Sequence, residues 1–445
     1  MTRQFSRRDM LKSLGLAGAT AMFPRAVLAN SVLNPDVVIV GAGASGLSAA
    51  KTLMAKGVSV LLLEASDRIG GRAVTDHNIF GEPYDMGASW LHNGRDNPYL
   101  DYGLDNGFDM YQDPDQEVVY VGNQKASKAQ VAALESLIEK AQRRMDSAGE
   151  RRRDVSIDQL IGDLLKDNPW GEVAAGAIGP WEMGEDLDRI SVRDWWSQEG
   201  GVDWLCREGF GTLVQHYGRD IPVQLNTWVS HIDWSGQGVK LETNQGTIRT
   251  KKVILTVSTG VLASDNIKFT PQLPVEKQES FHDLKMNSYN HIALQFEGGL
   301  PDLAADQYIH GDFNKPEAIG WMTNMRGQSL CFGFVGGRFS ESLEQAGPTE
   351  AVEVGLQDLE RMLGSEVRKR FKKGFFTTWS HYPNFQGSYA VALPGKFKAR
   401  KILRQPVADR IYFAGEACGQ EYSATVNGAH LSGIETARTV LRALS

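Results

Sequence analysis

The chain has 445 residues, more than one hydrophobic core usually organises, so two domains are expected. Its 47 basic and 54 acidic side chains leave a formal net charge of -7, which argues against nucleic acid as a partner and mildly favours a cationic ligand. The three cysteines, Cys206, Cys331 and Cys418, are spaced too widely for a metal-ligand pattern; they read as buried thiols, and no metal is expected.

In chain order, the first 29 residues read as an address and not as part of the fold. Ser6-Arg7-Arg8-Asp9-Met10-Leu11-Lys12 resembles the twin-arginine export motif; an apolar stretch from Leu14 to Phe23 and a small-residue end at Val27-Leu28-Ala29 follow. That stretch is about half of the roughly 20 residues that span a bilayer, so no stable membrane anchor is expected. The expectation is a periplasmic protein, carried folded by the twin-arginine translocation machinery and cleaved after Ala29.

Val37 to Val40 form a short β-branched run suited to a buried parallel strand, and Gly41, Gly43 and Gly46 then give G-x-G-x-x-G as a helix opens. Gly41 permits the sharp turn, Gly43 lets the backbone approach a pyrophosphate, and Gly46 lets the helix sit close to the sheet, with its positive end on the phosphates. Ser45 lies within this turn. VSVLLLEAS follows, and Glu64 closes this second strand where its carboxylate can accept from ribose hydroxyls. The unit predicts a dinucleotide site and leaves NAD and FAD open. Arg68-Ile69-Gly70-Gly71-Arg72 comes next, and a second glycine pair with arginines suits a longer cofactor needing extra donors. Further on, Lys125 to Arg153 is charged with apolar residues at helical spacing, and Ile157 to Leu165 continues in that style, so a helical insertion is predicted. Glu182, Glu185, Asp186 and Asp188 read first as a solvated acidic loop, with a hold on distal ammonium groups as the alternative. Near the end, IYFAGEACGQEYSATVNGAHLSGIETA from Ile411 is a second glycine-rich segment.

Together with GASWLHNGRDNP from Gly87, EGFGTLVQHYGRDIPVQLNTWVSHID from Glu208 and VILTVSTGVLASDNIKFTPQLP from Val253, these segments resemble the flavin-containing amine oxidase family over nearly all of the chain after residue 35. That group holds monoamine oxidases, polyamine oxidases, L-amino-acid oxidases and flavin-dependent histone lysine demethylases. The resemblance implies an α/β fold: a Rossmann-type, glutathione-reductase-like FAD-binding domain interleaved with an α+β substrate-binding domain. On this pattern residues 30–110, 205–290 and 378–445 belong to the FAD domain, 111–204 to the helical part of the substrate domain, and 291–377 to its sheet.

The resemblance also assigns roles. Ser45 falls in the glycine turn, Glu64 at the ribose, Gly71 and Arg72 at the pyrophosphate, Ser89 and Trp90 beside the flavin, and Val229 at the adenine. Glu416 matches the acid facing the ribityl chain, and Thr425 and Val426 open a helix whose N-terminus faces the flavin's pyrimidine edge, where it stabilises negative charge. The triplet Gly387-Ser388-Tyr389 stands where monoamine oxidases carry a flavin-bonding cysteine, so noncovalent FAD is expected; Thr425 replaces the second tyrosine of their aromatic cage.

The implied chemistry is oxidation of a primary or secondary amine, a polyamine among the candidates, at the carbon next to nitrogen, followed by hydrolysis of the imine. Tyr389 is the candidate aromatic wall and Trp379 the tryptophan beside the ring system, each with a plain core role as the alternative. His92 stands where polyamine oxidases place a histidine near the amine, or else is an ordinary loop histidine. His291 takes the place of the lysine that in most members holds a water against the flavin, which leaves oxygen or a quinone or cytochrome as the electron acceptor, with a replacement of no kinetic consequence as the alternative. An L-amino-acid oxidase, a flavin isomerase or desaturase, and a non-catalytic FAD-bound binding protein stay open as alternatives.

Overall fold

The computed structural model describes residues 34–311 and 319–445; the predicted export segment lies outside them. Val37–Val40 is the central strand of a five-stranded parallel sheet, ordered Ile411–Phe413, Lys252–Leu255, Val37–Val40, Val60–Leu63, Val223–Gln224. Its side chains divide between two cores. Val38 and Val40 pack with Leu255 and Phe413 on one face, Val37 and Ile39 with Leu47 and Leu53 on the other. Burial on both faces is what a parallel sheet requires, and it explains the unbroken β-branched run. The strands come from both ends and the middle of the chain, so the sheet ties distant segments into one unit.

The glycine turn leads into the helix Ala44–Met54, against which the last helix, Val426–Leu444, lies. The contact is at backbone range: Ser48 Oγ donates to the His430 carbonyl at 2.7 Å, and a Cβ on Gly433 would stand 2.2 Å from the Ser45 carbonyl oxygen.

The second unit is built on a seven-stranded sheet ordered Phe371–Phe376, Tyr289–Phe296, Leu330–Gly336, Gly320–Thr323, Gln307–Gly311, Glu117–Val121, Gln124–Lys125. All neighbours are antiparallel except Gln307–Gly311 with Glu117–Val121. Alternation gives it two faces. Ile292, Leu294, Trp321 and Val335 pack under Leu356 and Leu359 of the helix Pro348–Leu363. Ala293, Met322, Phe332 and Phe334 point the other way, toward Trp90.

The stretch expected to be helical does form the helix Lys128–Glu150, opened by a Ser127/Gln130 capping box, and the helix Asp158–Leu165. The 111–204 part that contains it also supplies the strand Glu117–Val121, which sequence reading passed over because five residues are too short a run to stand out beside a long charged helix. A buried pair joins the two units near the cavity: Arg400 Nε and Nη2 donate to Asp194 at 2.5 and 2.8 Å, and Arg400 also donates to the carbonyls of Ala390 and Ala417. Such a pair adds little net stability but fixes position, here of the segments carrying Tyr389 and Glu416. The whole is the α/β Rossmann-type unit interleaved with an α+β unit.

Candidate functional site

One cavity of about 1240 Å³ runs between the two units. Of the residues assigned a cofactor-binding or catalytic role from sequence, every one but Gly46 lines it. Gly46 faces the other way for a steric reason: its Cβ would sit 1.9 Å from the Gly41 carbonyl oxygen, so only glycine lets the helix start against the turn.

At the nucleotide end, Gly41 has φ +106° and no room for a side chain, since Thr256 Oγ1 lies 2.6 Å from where a Cβ would be. Gly43 and Gly71 run side by side, a Cβ on Gly71 falling 3.2 Å from Gly43 Cα. Ser45 Oγ is buried with no hydrogen-bond partner. The Glu64 carboxylate is fixed by the N–H groups of Ala42 at 2.7 Å and Ser66 at 2.8 Å, which aim it while leaving lone pairs for another donor. A bare glycine cradle, an unsatisfied hydroxyl and an aimed carboxylate fit the pyrophosphate and ribose of FAD. Val229 lines the cavity beside Thr227 and Trp228.

Farther in, Arg72 pairs with Glu416 at 3.1 Å and donates to the Ser388 carbonyl at 2.5 Å, while Glu416 also accepts from Ala390 N at 3.2 Å. Arg72 and Glu416 are therefore paired with each other as well as facing the cavity. Ser89, 1% exposed, lines the same cavity. Thr425 Oγ1 accepts from Gly428 N at 2.9 Å and caps the last helix, whose opening residues Val426 and Ala429 line the cavity. No cysteine lines the cavity; all three are buried elsewhere. Ser388 Oγ is engaged by the backbone, accepting from Tyr289 N at 2.6 Å.

The remaining stretch is aromatic. Tyr289 and Tyr389 stand with ring centroids 5.5 Å apart, and the Tyr389 hydroxyl donates to the Glu182 carbonyl at 3.3 Å. Burial pushes the Tyr389 phenol far up, so it stays neutral. Trp379 is 4% exposed and spends its indole N–H on the Met86 carbonyl at 3.2 Å. His291 stacks on Phe332 at 4.3 Å; its Nδ1 is buried without a partner, and burial lowers its pKa to about 4. Trp90 donates to Tyr308 at 2.7 Å and Asp113 at 3.0 Å.

Among the described residues no lysine lines the cavity, and Arg72, already paired, is its one arginine. Lys285 turns away to Glu185 and Glu341. Carboxylates line the cavity instead: Asp115, Glu117, Asp146, Glu182, Glu199 and Asp203, besides Glu64 and Glu416. The acidic loop is thereby divided. Glu185 is buried against Lys285, Asp186 and Asp188 hold Arg338, and Glu182 alone of the four faces the cavity. Burial raises the Glu182 carboxyl above its ordinary range, and His92 nearby partly offsets this.

His92 lines the cavity, with Nδ1 2.9 Å from Asp203 and its ring stacked near Trp90. Burial pulls its pKa down, but Asp203, with Glu182 and Asp113 behind it, outweighs that and raises it above the ordinary value. A second histidine–carboxylate pair, His310 with Glu117, lines the same space. Asp203, Glu117, His310, Tyr308 and Thr256 were not found from sequence. Their roles come from strand register across distant segments, and the one local trace is the alternation of Tyr308, Ile309 and His310.

The family model for flavin containing amine oxidoreductases matches residues 44–441. Among curated relatives, polyamine oxidase 4 of Oryza sativa subsp. japonica is 30% identical over 439 residues, covering 91% of this chain and 88% of its own length. Polyamine oxidase 2 of Arabidopsis thaliana is 28% identical, covering 91% and 87%. Among solved structures, wild-type putrescine oxidase bound to putrescine superposes with a TM-score of 0.78 at 20% identity, covering 92% of this chain and 99% of that one, which bears on the fold.

Proposed function

We propose, for a chain that belongs to the flavin-containing amine oxidoreductase family and is an FAD-dependent amine oxidoreductase, that its substrate is a polyamine, that FAD is held noncovalently, and that it works in the periplasm. FAD, when bound, supplies the acceptor for the hydride equivalent taken from the carbon next to nitrogen; the imine then hydrolyses to aldehyde and amine. The observation that carries the substrate reading is the charge of the cavity: six carboxylates besides those at the cofactor, and no lysine or unpaired arginine among the described lining residues. Such a lining favours a cation with several ammonium groups and offers a substrate carboxylate no clamp, which disfavours the L-amino-acid oxidase reading. Polyamine oxidases among the similar proteins support the same choice.

The chain's own residues then have definite tasks. Tyr389, Tyr289 and Trp379 wall the reacting end and exclude water. Glu182, with no cation paired to it among the described residues, faces the substrate nitrogen, and His92, held by Asp203, is placed to exchange a proton with it. Residues 1–29 support the periplasmic reading through Arg7 and Arg8. For noncovalent FAD the support is the lack of any thiol at the cavity.

Anaerobic mixing with a panel of polyamines, monoamines and L-amino acids tests this. Polyamines are expected to bleach the visible flavin band fastest, and heat denaturation to release free FAD. Bleaching by L-amino acids alone overturns the substrate reading; bleaching by nothing in the panel favours an isomerase or a binding protein.

A further inference from the structure

We propose that the Glu117–His310 pair is the cation subsite that sets substrate chain length, selecting amines whose second ammonium lies on the order of ten bonds from the reacting nitrogen. The inference rests on the polyamine reading, with oxidation taking place beside His291.

The seven-stranded sheet acts as a ruler. His291 pairs in register with Phe334, Phe334 with Gly320, and His310 lies one residue beyond the Ile309–Trp321 pair, opposite Gly320. Residues directly opposite on antiparallel strands share a face, so these four form one row on the cavity side. Three strand spacings separate its ends, about 14 Å. An extended chain advances about 1.2 Å per bond, so on the order of ten bonds bridge them, allowing for the inward reach of side chains at each end.

The row is built for a thin, extended ligand. Gly320 makes room for the Phe334 ring, which packs over it where a Cβ would stand 2.2 Å from that ring, so the cavity wall between His291 and His310 is the Phe334 ring. His291 at one end is neutral and stacked on Phe332, so it carries no charge that would repel an ammonium. At the other end the parallel strand Glu117–Val121 adds Glu117, which holds His310 Nε2 and is half open to the cavity, while His310 is largely covered and in ring contact with Trp181 at 5.1 Å. The hydrogen bond from His310 holds the Glu117 carboxyl below its usual range despite burial, so it is ionised. Its open oxygen accepts from an arriving ammonium. A four-carbon diamine is too short to reach it from the reacting end.

The test is kcat/KM for diaminobutane, diaminooctane, diaminodecane and diaminododecane, each beside its matched monoamine. Wild type is expected to prefer diamines to monoamines increasingly with length, with an optimum near ten bonds. Glu117→Gln should cut that preference about tenfold at the optimum, mainly through KM because the lost charge is remote from the reacting carbon. Glu117→Asp, which withdraws the carboxylate by one methylene, should move the optimum to a longer diamine, and it serves if the glutamine variant does not fold. A length profile unmoved by both variants overturns the subsite alone. Oxidation of monoamines with no preference for any diamine overturns the polyamine reading and the subsite with it.

Discussion

Burial decides what His291 can do. With its pKa lowered to about 4, the imidazole gains charge only as the pH falls through that value, so it is neutral across the range in which such enzymes work. A lysine at that place in the family resemblance supplies a charged ammonium; this chain supplies a flat, uncharged ring with one unpartnered nitrogen. The expected outcome is slow reoxidation of the reduced enzyme by oxygen, faster turnover with an artificial quinone, no step from this group between about pH 5 and 9, and a gain in oxygen reactivity in His291→Lys. Stopped-flow oxidation at several pH values checks it. Rapid oxygen turnover in wild type, unchanged in His291→Ala and His291→Lys, would show that the position does not govern that step. The position of His291 was legible because the Tyr289–Phe296 strand carries a recognisable run of residues. Its ionisation was not, because the burial comes from Phe332 and Tyr289, and the stacking partner is two strands' worth of chain away. The same holds for His92, whose loop motif was visible while Asp203, which sets its charge, lies 111 residues on.

At the scale of elements, the nucleotide-binding turn was readable from its glycine spacing, since Gly41 takes a positive φ and Gly46 sits against the Gly41 carbonyl, although the contacts of Gly41 with Thr256 and of Gly43 with Gly71 come from elsewhere in the chain. Packing between the first and last helices was less so: the small residues of VNGAHLSG signal close approach without saying to what. A methyl at Gly433 would meet the Ser45 carbonyl as closely as the Ser48 hydroxyl, and a side-chain rotation can relieve only the second of these. Gly433→Ala is therefore expected to lower stability by about 1–3 kcal/mol and to loosen FAD, since it levers the Ser45 turn and the cavity-lining opening of the last helix apart. Gly236→Ala, with open space around it, is the control and should change little. Denaturant unfolding of holo- and apoprotein, with a flavin-release assay, separates the two effects. Equal behaviour of both variants would remove the contact from the account.

For the whole molecule, the cofactor cavity is closed by segments from residues 37–46, 223–261 and 411–429 together, so holding FAD requires parts from both ends and the middle of the chain to be in place. A cofactor bound by this many separated segments, without a covalent tether, is loaded as the protein folds and lost when it unfolds. An exported enzyme of this kind is best moved after folding, and a twin-arginine route does that, whereas a route for unfolded chains would strip the site. The net charge of -7 and the acidic cavity fit either compartment, and no helix among the described residues is long and apolar enough to cross a membrane, so the proposed address rests on Arg7 and Arg8 alone. Changing both arginines to lysine keeps the local charge and removes the paired guanidinium motif. The double variant is expected to accumulate in the cytoplasm as flavin-loaded protein with residues 1–29 still attached, while wild type appears in the periplasm, shortened and carrying FAD. Fractionation with mass measurement and a flavin spectrum checks this. Normal periplasmic yield of the variant would overturn the route, and cytoplasmic accumulation without flavin would overturn the claim that loading precedes export.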